Sequence, residues 1–312
     1  MQQTNRSRHR HMTSFQVISL GFLSVILLGS LLLMLPIATK SGQCTSFLDA
    51  LFTATSAVCV TGLVVNDTAT YWSLFGQGII LLLIQIGGMG IITIAIAIAV
   101  VSGRKIGLMQ RSTMQEAISA PTVGGIVRRT QFIIRTTILV EIIGAALLAP
   151  VFCRDFGFWK GIWYSLFHSI SAFCNAGFDL IGIRTPFSSL TSYSVQPIVN
   201  LVIMALIVAG GIGFLTWEDI KIHKWHFKKY KMQSKVIFMV TGILIFLPAL
   251  YFFYFEFSNV PLKERVWVSL FQSVTTRTAG FNTADLTLLS EVGQMLIIIL
   301  MLIGGSPGST AG

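Results

Sequence analysis

The chain has 312 residues, of which only 11% are Asp, Glu, Lys or Arg, where a soluble globular protein carries about 25%. Apolar types make up 54% and the mean hydropathy is +0.77, which excludes soluble domains and disorder; four cysteines are too sparse for a disulfide-stapled scaffold. The formal charge of +10 would suggest a nucleic-acid partner, but the placement of the charges points elsewhere.

Taken in chain order, Phe15–Ile37 is the first apolar run, preceded by Arg6, Arg8 and Arg10. A charged start before an apolar run has the form of a signal peptide. The run is long, and the following Leu-Pro-Ile-Ala-Thr-Lys offers no small-x-small cleavage site, so a retained helix is expected. Further runs are Leu74–Val101, Phe132–Phe152, Ile198–Leu215 and Val236–Phe257, with a sixth from Val292 to Ile303. Each but the last approaches or exceeds the roughly 20 residues that cross a bilayer as helix. Three weaker segments, Phe47–Val65, Phe156–Ile183 and Val266–Phe281, fall between the members of each pair. Their Ser, Thr, Asn and Gly are too polar for lipid, and the rest is too apolar for water.

Arg104, Lys105, Arg111, Arg128 and Arg129 lie between the second and third runs, and Lys221, Lys224, Lys228, Lys229, Lys231 and Lys235 between the fourth and fifth. With the three N-terminal arginines these are 14 of the 22 lysines and arginines. The positive-inside rule places that side in the cytoplasm, N-terminus included, and the half-polar segments outside. Charge here is topology, and no nucleic acid is expected.

The outer segments repeat. Asp49-Ala-Leu-Phe-Thr-Ala-Thr-Ser-Ala-Val-Cys-Val-Thr-Gly62, Tyr164-Ser-Leu-Phe-His-Ser-Ile-Ser-Ala-Phe-Cys-Asn-Ala-Gly177 and Val268-Ser-Leu-Phe-Gln-Ser-Val-Thr-Thr-Arg-Thr-Ala-Gly280 share one pattern. A Phe stands ten residues before the glycine in the first two strings and nine before it in the third. The runs that follow each carry a double glycine: Gly87-Gly88-Met-Gly90, Gly210-Gly211-Ile-Gly213 and Gly304-Gly305-Ser-Pro-Gly308. The unit is therefore helix, re-entrant segment, helix, in a parallel repeat about an axis along the membrane normal. The units occupy 15–101, 132–216 and 236–312, after an N-terminal segment 1–14 and separated by basic loops 102–131 and 217–235. The fold class is an all-α polytopic membrane protein.

Non-helical backbone at membrane depth must line a cavity or be buried in protein. A short helix (Phe47–Ala57, Gly161–Ala172, Val266–Thr275) leading into a glycine-centred stretch fits a pore helix and an ion filter. The helix C-terminus favours a cation, and inward carbonyls replace its hydration shell. Glycine supplies the positive φ this needs; side chains at Val60, Asn175 and Thr278 are expected to face away. One such Gly pair alone would read as an ordinary turn; three at matched offsets do not.

These strings, with Ala57–Leu63, Ser171–Phe178, Thr275–Phe281 and Gly304–Gly312, resemble the Trk/Ktr/HKT superfamily of potassium transporters, most closely its bacterial KtrB-type (TrkH family) membrane subunits. The resemblance implies four units around one K⁺ pore, so the chain is expected to stop in the third. It implies ion-facing carbonyls at Val60, Thr61 and Gly62, at Asn175, Ala176 and Gly177, and at Thr278, Ala279 and Gly280. It implies an intramembrane gating loop at Gly304, Gly305, Ser306, Pro307, Gly308, Ser309, Thr310, Ala311 and Gly312. It further implies a homodimer in the bacterial plasma membrane, among membrane lipids, on a cytoplasmic nucleotide-binding ring of KtrA/TrkA-like subunits. The chain itself is expected to bind no cofactor, K⁺ being cargo, and to be no enzyme. Na⁺ passage, or cation-coupled transport of another small solute, is the alternative; the latter would need paired intramembrane charges, and Glu141 alone is a poor candidate.

Gly304–Gly312 lacks the Lys-Ser/Thr pair of a phosphate loop. Ser306 or Ser309 with His168 would make a hydrolase site only with an orienting acid, and none is evident. Glu141 is expected to hydrogen-bond a neighbouring helix. Arg277 is expected to hold a carboxylate or cap its pore helix, the alternative being a loose surface arginine. A Cys44–Cys153 disulfide has no support beyond their shared side, and no His/Cys spacing suggests zinc.

Overall fold

The computed structural model describes residues 13–90, 93–94, 113, 115–116, 124–224 and 226–311. Across these residues the protein is helical, with one isolated bridge between Thr39 and Trp72. The first unit holds α1 (Ser14–Leu33), α2 (Phe47–Val58) and α3 (Leu74–Met89). The second holds α4 (Ile126–Phe156), α5 (Phe158–Phe173), α6 (Pro197–Gly211) and α7 (Phe214–His223). The third holds α8 (Met232–Tyr251, continued by a π turn to Glu256), α9 (Leu262–Thr275) and α10 (Glu291–Ile303).

Local chemistry sets the starts. Thr13, Ser46, Ser73 and Ser290 each accept from the backbone N–H three residues on, at the heads of α1, α2, α3 and α10. Each cap satisfies a donor that helix geometry leaves free. Pro197 opens α6, where its missing N–H costs nothing.

The opening helix of each unit, Phe15–Leu33, Ile126–Phe156 and Met232–Glu256, is long and apolar enough to cross a membrane. Exposed Leu31, Leu147 and Leu250 on them suit contact with lipid. The second helices fall short of the spans expected from sequence: α3, α6 and α10 have 16, 15 and 13 residues. Each stops at its double glycine. The expected run Ile198–Leu215 is broken at Gly213, and α7 leaves α6 at 97°. Gly90 and Gly213 have φ of +80° and +84°, a conformation that ends a helix and suits glycine. Parts of the sequence reading lie outside the described residues: Arg6, Arg8, Arg10, most of 91–123 with Arg104, Lys105 and Arg111, and Gly312.

In the first two units the short middle helix packs on both of its companions, and in the third α9 packs on α8. Between units, α3 lies on α5 and α6 lies on α9. The last helix of one unit thus meets the short helix of the next, which carries the repeat around a common centre. Trp163 Nε1 donates to Gln77 Oε1 across the first of these seams at 2.9 Å. One core containing Trp72, Phe167, Phe173, Phe271 and Phe281 runs through all three units, and a second, around Phe252, Val268 and Ile297, lies in the third. In α8, Pro248 cannot donate to the Leu244 carbonyl, and Ser273 Oγ of α9 reaches that carbonyl at 3.1 Å and Ile245 O at 2.6 Å.

Candidate functional site

The short helices run into their glycines through C-caps at Cys59, Cys174 and Thr276. Beyond them the backbone turns left-handed twice in each unit. The φ values are +58° at Val60 and +75° at Gly62, +56° at Asn175 and +71° at Gly177, and +64° at Thr278 and +81° at Gly280. The sequence foretold the glycines but not the residue two before each. Left-handed Val and Thr are genuine outliers and cost on the order of 1–3 kcal/mol each, a strain that persists only where the surroundings enforce it. Successive carbonyls of an ordinary strand point to opposite sides. Alternating handedness turns neighbouring peptide groups to the same side.

The surroundings enforce this conformation through matched hydrogen bonds. Thr61 N donates to Ser56 O (2.9 Å), Ala176 N to Ser171 O (2.7 Å) and Ala279 N to Thr275 O (3.0 Å). The third bond spans four residues where the first two span five, which absorbs the shorter spacing seen in the third string. The same residues act again through their hydroxyls. Ser171 Oγ donates to Phe178 O at 2.7 Å, Thr275 Oγ1 to Phe281 O at 2.6 Å, and Thr61 Oγ1 to Ser56 Oγ at 2.9 Å. Sequence reasoning passed over Ser56, Ser171 and Thr275, although all three occupy the same column of the repeat.

The three strings meet. A Cβ on Gly62 would lie 2.7 Å from the Ala176 carbonyl oxygen, and one on Gly177 would lie 2.7 Å from Ala279 O and 3.0 Å from Gly280 Cα. Asn175 is buried beside Gly211 of α6, whereas Val60 borders a cavity. In the first two units the double glycine brings the second helix onto its own short helix: a Cβ on Gly87 would sit 2.0 Å from Val58 O, and one on Gly210 would sit 1.9 Å from Phe173 O. α3 and α6 can therefore touch the carbonyl ends of α2 and α5 only through glycine.

The chain after α10 is irregular, with φ of +64° at Gly304 and +70° at Gly308. It is strapped to the break between α6 and α7. Ser306 N donates to Gly211 O (3.0 Å), Thr310 N to Gly210 O (3.2 Å) and Phe214 N to Gly308 O (2.9 Å). Thr310 Oγ1 donates to Phe173 O at 2.6 Å, and Thr278 Oγ1 to Ala311 O at 3.1 Å. A cavity of about 340 Å³ lies beside it, bounded by Val60, Gly88, Phe214, Gly308 and Thr310.

Residues 1–312 match the TrkH family, described as cation transport proteins. The chain belongs to the TrkH family. The potassium/sodium uptake protein NtpJ of Enterococcus hirae is 41% identical over 308 residues, covering 97% of this chain and 67% of that protein. The Ktr system potassium uptake protein B of Bacillus subtilis is 41% identical over 302 residues, covering 95% of this chain and 66% of that protein. The chain thus spans about two thirds of these relatives, at 67% and 66%. The crystal structure of the potassium transporter TrkH from Vibrio parahaemolyticus shares the fold, with a TM-score of 0.69 at 21% identity over 99% of this chain and 60% of that one. TrkH proteins are membrane transporters and not enzymes.

His168 and Glu141, also singled out in this TrkH-family chain, have structural partners. His168 donates from Nδ1 to Tyr164 O at 2.7 Å while its Nε2 accepts from Leu180 N at 3.3 Å. Both ring nitrogens are committed, so it is no base for a serine. Glu141 accepts from Gln85 Nε2 at 2.9 and 3.1 Å, the expected bond to a neighbouring helix. Arg277 is 4% exposed, which removes the surface reading, and its Nε and Nη1 have no hydrogen-bond partner among the described residues. Cys44 and Cys153 are both free.

Proposed function

We propose that this chain forms part of a K⁺ uptake path, the ion passing between carbonyls of Val60–Gly62, Asn175–Gly177 and Thr278–Gly280. The observation that carries this reading is the threefold pair of left-handed residues converging at backbone contact distance. Carbonyls of fixed direction replace an ion's hydration shell without basic side chains at the contact. The three short helices end there, and their C-terminal partial charge favours a cation. Relatives named for potassium uptake support the choice of ion. One strict glycine per string leaves fewer ordered sites than a longer filter would, and NtpJ is also named for sodium, so Na⁺ leak is the second reading. Residues 304–311 act as the gate, beside the cavity below the strings. The placement is the bacterial plasma membrane, N-terminus inside, as a homodimer on a cytoplasmic nucleotide-binding ring. The test is K⁺ uptake by the complete natural protein in a strain lacking its own uptake systems. Growth rescue that survives replacement of all three glycines by serine would overturn the carbonyl path.

A further inference from the structure

A cavity of about 810 Å³ lies away from the strings, between the start of α4 and α7. Arg128, Arg129, Arg135 and Lys221 line it against a single carboxylate, Glu218. Arg129 Nε pairs with Glu218 Oε1 at 3.2 Å, which leaves its buried Nη1 without a partner. Lys221 Nζ stands 4.5 Å over the Phe132 ring. Neither Arg128 nor Arg135 has an ion-pair partner among the described residues. Neighbouring sequence does not supply one: between Asp67 and Glu141 the only acidic residue is Glu116, which is exposed. Four cations against one carboxylate leave an uncompensated cluster in a concavity, and such clusters select anions.

The level of the cavity identifies the anion. The 31 residues of α4 reach about 46 Å, some 16 Å more than a hydrocarbon core of about 30 Å. Past Arg135 the outward residues Ile138, Leu139, Ile142 and Ile143 are exposed and apolar, as a lipid-facing surface is. Arg135 therefore marks the boundary where headgroup phosphates lie, and Leu139 at the cavity wall begins the acyl surface. A concave basic site with an apolar edge on its membrane side fits a lipid better than the convex face of a soluble protein. We propose that this cavity binds the phosphodiester headgroup of an anionic phospholipid, with Arg128, Arg135 and Lys221 on the phosphate and an acyl chain along α4.

This rests on the membrane placement of α4, not on the ion carried, so its test reads lipid and not transport. The complete natural protein would be purified and titrated with phosphatidylglycerol or phosphatidylcholine, with bound lipid counted by native mass spectrometry. The wild type is expected to prefer phosphatidylglycerol. The triple variant Arg128→Gln, Arg135→Gln, Lys221→Gln should lose that preference by on the order of 100-fold, from about fivefold per basic residue near an anionic surface, while the matching lysine variant Arg128→Lys, Arg135→Lys keeps it. Millimolar inorganic phosphate should not displace the lipid. Equal binding of both lipids, an undiminished preference in the triple variant, or displacement by free phosphate would each overturn the proposal. If the triple variant does not elute as a folded dimer, the single exposed-site variant Arg128→Gln must show a several-fold loss for the proposal to stand.

Discussion

Gly177 of the second unit lies against Ala279 of the third so closely that a methyl group on the glycine would come within 2.7 Å of the alanine carbonyl oxygen. The neighbour is backbone and cannot swing aside, and the glycine φ of +71° is itself unfavourable for any L side chain by about 1–2 kcal/mol. Gly177→Ser should therefore push a carbonyl of the proposed ion path off its direction. In the complete protein the K⁺ KM should rise about tenfold, equivalent to about 1.4 kcal/mol, and Na⁺ uptake should appear. Gly62→Ser should match it, having the same 2.7 Å approach to Ala176 O. Gly280→Ser should be milder, since its nearest contact is Gly177 Cα at 3.3 Å. Equal effects at all three would show that crowding between units does not set the filter.

The hydroxyl anchors make a second case. Ser171→Ala or Thr275→Val leaves the Phe178 or Phe281 carbonyl without its 2.7 or 2.6 Å donor. An orphaned buried acceptor costs about 1–3 kcal/mol. Thermal unfolding should fall accordingly, and discrimination against Na⁺ should fall with it. Thr275→Ser keeps the hydroxyl and should restore both. Loss of stability with selectivity intact would make these residues mere packing.

Double glycines and lone glycines should behave oppositely. Gly87→Ala and Gly210→Ala each drive a methyl group into a carbonyl oxygen at 2.0 or 1.9 Å, so little folded protein is expected. Gly78, also in α3, has nothing within 4 Å of its Cβ position. Gly78→Ala should leave the fold intact and gain about 0.5–1 kcal/mol of helix propensity. Expression and melting temperature of the three variants in detergent check this directly.

For the proposed gate, Thr310 Oγ1 on Phe173 O at 2.6 Å ties residues 304–311 to the C-terminus of α5. Thr310→Val should loosen the tie and raise maximal ion flux severalfold, with K⁺ affinity unchanged because the strings are untouched. Deleting residues 305–311 should go further in the same direction. Weaker K⁺ affinity at unchanged maximal flux would assign the segment to a binding site.

The turn between α7 and α8 divides its lysines into two roles. Lys231 pairs with fully buried Asp219 at 3.5 Å, and Asp219 Oδ2 also accepts from Ser234 Oγ at 2.6 Å and Lys231 N at 3.2 Å. Asp219→Ala should thus cost about 1–3 kcal/mol through the unmet donors at the head of α8. Lys228→Gln with Lys229→Gln should spare stability and weaken retention of the proposed regulatory ring as salt rises. Co-purification indifferent to both changes would remove these lysines from that contact.

The repeating unit was legible in the sequence alone. Apolar runs, charge asymmetry and three glycine strings are one-dimensional signals, because membrane thickness and the requirement for positive φ act on each segment separately. Helix starts were legible for the same reason: Ser46 and Ser73 cap within three residues of themselves. Three features needed the tertiary structure. The left-handed conformation of Val60, Asn175 and Thr278 was not legible in the sequence, since it is held by hydrogen bonds that the next peptide N–H donates to the carbonyls of Ser56, Ser171 and Thr275. The shortening of α3, α6 and α10 depended on what their glycines touch, as a Gly-Gly pair reads alike in a straight helix and at a break. Lys231 looked like one more basic residue of a solvated loop until folding set it beside Asp219, 12 positions earlier in the chain. Burial and pairing are properties of what the rest of the chain brings alongside, and no local string records them.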